Sequence, residues 1–375
     1  MSGDRIAIII PDLSGYGTTR AYIIGEGLKR LGFRVKLYGF LFGREIYPIP
    51  PYGLPVTYFY GKPLPSLIKT MWDLTGEIDG DVIYVIKPQM TSFGVGYLKA
   101  WRERKPIILD LDDWEMAEWG GDEWRFSFQG DLRKPGHPIY VKFLERILDK
   151  VNAITVSSRF LQYRYGGTYL PSVRDTDVFN PSNYDSEKLR QENGLSNYKL
   201  LMFTGTAKPT QGIEDILTAL DILNNPQLKL VLVGGNCYHE SYYQQLWERW
   251  GRWLVTIKPQ AFDEMARVIS LSHIIVFTPH DLITNQAKCP LEVIEAMAMA
   301  KPVLASAVGE TPAILRETGF LVSPQSPEAI ANAVNEIFAN YDLALQRGEL
   351  ARQRCLQHYS IINLTNTLET VLKLI

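Results

Sequence analysis

The sequence predicts an α/β protein of two doubly wound domains facing a central cleft. Three observations carry this reading. Short continuous apolar runs recur, each ended by a loop and followed by a helical stretch. The pattern starts again after a polar, turn-rich segment near residue 171. The 375 residues also exceed the roughly 150 that one domain usually holds.

Arg5-Ile-Ala-Ile-Ile-Ile10 is apolar after its first residue, as a strand buried on both faces requires. Pro11-Asp-Leu-Ser-Gly-Tyr-Gly17 breaks it. Thr18 or Thr19 caps a helix running to Leu31, and Gly32 stops it. Further strands are expected over 33–38, 81–86, 106–111 and 153–156, with helical stretches between them. Strands alternating with helices imply parallel pairing and right-handed crossovers. The first domain spans 1–170.

Pro171-Ser-Val-Arg-Asp-Thr-Asp-Val-Phe-Asn-Pro181 reads as an interdomain linker. The second domain, 171–345, has strands from Lys199 to Gly205, from Leu228 to Gly235, over 274–277 and over 301–306, with a helix at 212–224. Residues 346–375 form C-terminal helices. The last of them, 359–374, carries Ile361, Ile362, Leu364, Leu368, Val371 and Leu372, a face that packs back toward the first domain. Ligands bind open α/β sheets beyond the carboxyl ends of the strands, so the cleft is the expected site.

Composition excludes several classes. Lys plus Arg number 39 against 41 Asp plus Glu, a net charge of −2, which gives no general pull toward nucleic acid. Cys237, Cys289 and Cys355 lie far apart, and the five histidines are scattered. Neither a disulfide framework nor a metal site is expected, and a reducing compartment fits. No apolar run approaches bilayer length, and the first one is too short for a signal-peptide core. A cytoplasmic protein is the expectation.

The most informative segment is Lys288-Cys-Pro-Leu-Glu-Val-Ile-Glu-Ala-Met-Ala298. Pro290 suits the first turn of a helix. Leu291, Ile294 and Ala298 share one face, and Glu292 and Glu295 another. Pro290 and Leu291 open the helix, where an anion is welcome, and Lys288 adds charge. Glu295 lies about 7 Å further along the axis, at 1.5 Å per residue, which matches a diphosphate at the helix mouth and its ribose on the carboxylate. An amphipathic helix with solvated glutamates fits the same pattern.

In the first domain, Gly15 and Gly17 follow the first strand and let backbone approach a ligand. The third glycine of a dinucleotide fingerprint is missing, and no acidic residue ends the next strand, which argues against NAD. Asp110-Leu-Asp-Asp113 ends another strand. Asp112 or Asp113 suits an acceptor hydroxyl or acid–base work, with helix capping as the alternative. Aromatic residues are dense here: Phe40, Phe42, Tyr47, Tyr52, Tyr58, Phe59, Tyr60, Trp72, Trp114, Trp119 and Trp124. A core role is expected for most of them. The alternative is contact with sugars, lipid or a membrane surface.

The segment Glu295-Ala-Met-Ala298 followed by Lys301-Pro-Val-Leu-Ala305 resembles the signature of glycosyltransferase family 4. Gly309-Glu-Thr-Pro312, Thr318-Gly-Phe-Leu-Val322 and Asp177-Val-Phe-Asn-Pro181 extend the resemblance, and Gly205 to Gly212 is similar to that family's phosphate loop. The resemblance implies two Rossmann-like domains in the GT-B arrangement. It implies a retaining transferase moving a hexose from a UDP- or GDP-sugar to a sugar, polysaccharide or lipid-linked acceptor, in polysaccharide or glycolipid synthesis. No further cofactor and no protein nucleophile are implied. The leaving phosphate helps to deprotonate the acceptor, and domain closure excludes water. Donor-binding roles fall on Gly15, Gly17, Thr206, Lys208, Lys258 with Pro259, Lys288, Pro290, Leu291 and Glu295. Asp112 and Asp113 take the catalytic, acceptor-facing role, and peripheral contact with the inner membrane face is compatible with such acceptors.

The chain departs from the family pattern at three positions. The first glutamate of the signature falls at Ala287, and the phosphate-loop arginine and lysine fall at Thr206 and Gln211. Lys208 is then the loop's cation, or a solvated lysine. A catalytically degraded nucleotide-sugar-binding protein is the second expectation.

Overall fold

A computed structural model describes residues 4–15, 17–51, 53–125, 130–234, 240–258 and 264–375. Tyr16, Tyr52, Gly235, Cys237 and Pro259 lie outside the described residues. The chain divides into two units. Unit 1 comprises Met1–Ser172, Ala287–Cys289 and Ile361–Ile375; unit 2 comprises Val173–Gln286 and Pro290–Ser360.

Unit 1 is built on a seven-stranded sheet: β1 (Arg5–Ile10), β2 (Arg34–Leu41), β3 (Val56–Tyr60), β4 (Val82–Ile86), β5 (Ile107–Leu111), β6 (Ala153–Val156) and β7 (Thr168–Tyr169). The order is β3-β2-β1-β4-β5-β6-β7. Every pairing in it is parallel. β4 and β5 are buried along their whole length, which is why β4 reads as an unbroken apolar run and β5 as one interrupted only by Asp110. β2 runs on to Leu41, past the expected end at Tyr38. β3 was not expected. It is an edge strand whose Tyr58 and Tyr60 are exposed, so the apolar run that marks a central strand is absent.

The expected capping of the first helix is corrected. The Thr18–Arg30 helix starts from Gly17, with no side-chain cap. The Thr18 hydroxyl instead donates to Gly15 O at 2.9 Å, so it closes the loop before the helix. The expected aromatic core is also smaller than read. Phe40 and Trp114 are buried, whereas Phe42, Tyr58, Tyr60, Trp72 and Trp119 are exposed. Several of them sit on the edge strand β3 or on the outer face of the Leu67–Glu77 helix.

Unit 2 carries a six-stranded sheet: β8 (Lys199–Thr204), β9 (Leu228–Val233), β10 (Leu254–Ile257), β11 (Ile274–Phe277), β12 (Val303–Ser306) and β13 (Phe320–Val322). Its order is β10-β9-β8-β11-β12-β13, again with parallel pairing throughout. The core gathers Leu201, Phe203, Leu217, Leu232, Val276 and Leu304.

The segment 171–181 is not a free tether. The boundary falls after Ser172, and Val173, Arg174, Asp175, Thr176 and Phe179 are buried in unit 2. The Arg174 amide donates to Tyr359 O at 3.0 Å, and Arg174 pairs with Ser360 as an isolated parallel bridge. The Tyr341–His358 helix belongs to unit 2 and packs on the Leu291–Ala298 helix. Its Arg352 donates from Nη1 to Phe179 O at 2.9 Å and also to Ala298 O. The Ile361–Leu372 helix belongs to unit 1 and lies on the Thr18–Arg30 helix, where a Cβ on Gly27 would stand 2.9 Å from Leu364 Cδ2. Ile361, Leu364, Leu368, Val371 and Leu372 are buried there, while Ile362 faces out, which corrects its inclusion in the packing face.

The strand orders locate two crevices. β1 lies between β2 and β4, and β8 between β9 and β11, so the winding reverses beside β1 and beside β8. Loops leaving the carboxyl ends of strands at such a reversal part in opposite directions and leave room for a ligand.

Candidate functional site

In unit 2 the loop after β8 runs from Gly205 to Gly212 and leads into the Ile213–Leu223 helix. Gly212 has φ +70°, and a Cβ there would stand 1.9 Å from Thr278 O, just past β11. Only glycine allows this approach. A Cβ on Gly205 would stand 2.9 Å from Glu292 Oε1, so the start of the loop lies against the first turn of the Leu291–Ala298 helix. Loop and helix mouth therefore meet, as a phosphate-binding arrangement demands.

Pro290 is the N-cap of that helix, one position earlier than expected, and no side chain caps it. A helix N-terminus without a side-chain cap suits an anion. The hydroxyl oxygens of Thr204 and Ser306, ending β8 and β12, are buried without a hydrogen-bond partner among the described residues. Unsatisfied buried polar atoms at a sheet's carboxyl edge are what a polar ligand would satisfy.

Other predicted residues fall as follows. Thr206 and Lys208 are half-buried in the loop. Gln211, at the family's lysine position, donates from Nε2 to Asn285 Oδ1 at 3.3 Å. Asn285 Nδ2 donates to Thr210 O at 3.1 Å and His280 O at 2.9 Å. Gln211 is thus part of a bracket that holds the loop to the segment after β11. Lys258 is exposed at the end of β10.

Glu295 is only 5% exposed, which overturns the solvated alternative. Its Oε1 accepts from Arg174 Nε at 2.8 Å and from Arg174 Nη2. Sequence reasoning missed Arg174 because it lay inside a segment read as linker.

Ala287, Lys288 and Cys289 group with unit 1. Ser158 Oγ donates to Ala287 O at 2.7 Å, and Ser172 Oγ donates to Cys289 O at 3.2 Å. Ala287 is 1% exposed within the unit 1 core, so the position of the family's first glutamate is an apolar site in this chain. Lys288 is half-buried, two residues before Pro290.

In unit 1, Gly17 follows β1 and Lys87 follows β4, on the two sides of the reversal. A Cβ on Gly17 would stand 3.9 Å from Lys87 Cε. Lys87 has φ +66°, a conformation uncommon for a non-glycine residue. Its ammonium lies 3.4 Å from Asp112 Oδ1, 2.9 Å from Asp113 Oδ2 and 2.9 Å from Glu115 Oε1. Gln89 Nε2 donates to Glu115 Oε2 at 2.6 Å. Burial pulls the Lys87 ammonium down, but the three carboxylates outweigh it and hold its pKa well above the ordinary value. Burial pushes the Asp112 carboxyl up to about 7, with Lys87 opposing. Asp112 and Asp113 thus form a charged cluster with Lys87 and Glu115. Lys87 was missed, although a lysine directly after the Val-Ile-Tyr-Val-Ile strand was the available signal.

Asp110 differs from its neighbours. It is fully buried and accepts from Arg20 Nε and Nη2, both at 2.8 Å, and from Thr155 Oγ1 at 2.6 Å. Arg20 also donates to Leu170 O and Pro171 O. Asp110 therefore pins the first helix to β5 and has no oxygen to spare for a substrate.

Residues 185–354 match the family model described as glycosyl transferases group 1. The chain is 26% identical over 234 residues to a GDP-mannose-dependent alpha-(1-6)-phosphatidylinositol monomannoside mannosyltransferase of Mycobacterium tuberculosis, covering 58% of this chain and 60% of that one. It is 28% identical over 153 residues to a D-inositol 3-phosphate glycosyltransferase of Mycolicibacterium gilvum, covering 38% of this chain and 32% of that one. The matches thus span 60% of the mannosyltransferase's length and 32% of the other's. The structure of Anabaena HepE in complex with UDP-glucose is similar at a TM-score of 0.77 and 19% identity, covering 99% of this chain and 100% of that one. The fold is therefore GT-B, two parallel sheets flanked by helices. Among the described residues, no helix is long and apolar enough to cross a membrane.

Lys87→Met leaves three carboxylates without their cation. Removing one partner of a buried charge cluster costs about 3–5 kcal/mol, so the urea midpoint of unfolding is expected to fall accordingly. A loss below about 1 kcal/mol would show that the cluster is solvated.

Proposed function

We propose that the chain is a retaining glycosyltransferase of the family 4 type, moving a hexose from a UDP- or GDP-sugar to an acceptor hydroxyl in polysaccharide or glycolipid synthesis. The observation that carries this is the meeting of the Gly205–Gly212 loop with the uncapped first turn of the Leu291–Ala298 helix. A diphosphate there faces backbone amides and the positive end of a helix. Lys208 supplies charge from the loop, and Lys288 precedes the helix. Glu295 takes the ribose, and backbone near Lys258 meets the base. The relatives' names support the class: a GDP-mannose-dependent mannosyltransferase and an inositol phosphate glycosyltransferase.

Gly15 and Gly17 take a donor-binding role, and Asp112, with Asp113, receives the acceptor hydroxyl. The hydroxyl oxygen attacks the anomeric carbon from the side on which the bond to the diphosphate breaks. Its proton passes to a leaving phosphate oxygen, so the new bond keeps the old configuration. No metal and no cofactor beyond the donor is assigned.

A second reading, a nucleotide-sugar-binding protein without turnover, is favoured by Thr206, Gln211 and Ala287. Gln211 serves a structural bracket and Ala287 a core, so two of the family's charged functions are absent at those positions. A thermal-shift panel of UDP, GDP, ADP and their sugar conjugates separates the readings. At a hundred times the dissociation constant a ligand adds about 2.7 kcal/mol. One nucleotide family is expected to shift the melt, with slow release of its sugar. A shift without release, even with acceptors present, favours the binding protein, and no shift refutes both.

Orientation of the acceptor hydroxyl by the Asp112 carboxylate, as a hydrogen-bond acceptor, needs the ionised form, which forms as pH rises through about 7. kcat/KM is therefore expected to climb through that range. Asp112→Asn should remove the limb and lower turnover more than donor affinity. An unchanged limb in the variant would remove Asp112 from the chemistry.

Peripheral membrane contact belongs to the same proposal. Trp72 and Trp101 are 56% and 70% exposed, and Arg102 lies 4.7 Å over the Trp72 ring. Anionic vesicles are expected to sediment the protein, and Trp72→Ala with Trp101→Ala to release it. Equal sedimentation of both forms would assign these residues elsewhere.

A further inference from the structure

The geometry points to Arg174 as the positioning residue that presents one oxygen of Glu295 to the ribose of the nucleotide. The inference rests on the ribose reading of Glu295 given above.

Both bonds from Arg174, from Nε and from Nη2, fall on Oε1 of Glu295. Oε2 takes none from Arg174. The two side chains are 4% and 7% exposed, so the pair is shielded from water and held in one geometry. Arg174 itself is fixed from three sides. Its amide donates to Tyr359 O, its backbone pairs with Ser360, and its guanidinium lies 5.3 Å from the Phe179 ring centre. Phe179 is held in turn by Arg352, which also grips the last turn of the Leu291–Ala298 helix at Ala298 O. The helix that carries Glu295 and the segment that carries Arg174 are therefore clamped to each other at two points.

A carboxylate that accepts a vicinal diol must not rotate. Arg174 prevents this: it takes only Oε1 and turns Oε2 to the ligand. Arg174 is anchored where the chain passes between units, since Val173 opens unit 2 and Ser360 closes it.

The test is discrimination between ribose and 2′-deoxyribose. UDP against 2′-deoxy-UDP, and GDP against 2′-deoxy-GDP, are titrated calorimetrically into the full chain and into Glu295→Gln, Arg174→Met and Arg174→Lys. For the pair that binds, the wild type is expected to prefer ribose about tenfold or more, the range of a hydrogen bond to a charged group. Glu295→Gln and Arg174→Met should each reduce the preference to within about threefold. Arg174→Lys, which keeps the charge but not the fork, should fall between. Preference lost in Glu295→Gln but intact in Arg174→Met would overturn the positioning role and leave the ribose reading standing. Preference intact in Glu295→Gln, absent in the wild type, or no binding of either pair would overturn the ribose reading and this inference with it. Should Arg174→Met fail to fold, Arg174→Lys decides alone, and an unchanged preference there overturns the role.

Discussion

The unit 2 site depends on one contact that tolerates no side chain. Gly212 sits against the carbonyl of Thr278 so closely that a Cβ would stand 1.9 Å from its oxygen. This contact seals the loop after β8 to the segment after β11, at the place where the strand order reverses. The bracket of Gln211 and Asn285 then fixes the loop's course, and Gly205 at its other end lies against Glu292. The helix mouth is set by the same geometry. The surface proposed for phosphate is made of backbone, and its geometry stands although Thr206 and Gln211 replace the two cations of the family pattern.

The buried charges divide by what their partners leave over. Asp110 has both oxygens engaged by Arg20 and Thr155, which makes it a fastener between the first helix and the sheet. Lys87 faces three carboxylates, so its cluster carries more negative than positive charge. Burial is the main reason the Asp112 carboxyl is pushed up to about 7, with Lys87 opposing and Asp113 adding to the rise. Glu295 stands between these cases, with one oxygen committed to Arg174. Burial alone does not distinguish these carboxylates; how their oxygens are shared among partners does.

Much of the fold was legible in the sequence because central parallel strands are buried on both faces, and β1, β4, β5 and β8 announce this as apolar runs. The edge strand β3 was not legible, since half of its side chains face out. The segment after Pro171 misled for a related reason. Its polar residues are buried in pairs, Arg174 with Glu295, and a sequence does not display a partner 121 residues away. The contact of Gly17 with Lys87 was hidden in the same manner, whereas the Leu291–Ala298 helix and the glycines of its facing loop were visible because spacing alone defines them.

The central claim is that a nucleoside diphosphate binds in unit 2 with its phosphates between the Gly205–Gly212 loop and the first turn of the Leu291–Ala298 helix. Crystals soaked with UDP and with GDP test it most directly, by difference density. The account predicts diphosphate density against the backbone of that loop and helix, with the ribose at Glu295. Density for the nucleotide at any other edge of either sheet, or a well-ordered loop and helix mouth with no density at saturating ligand, would contradict it.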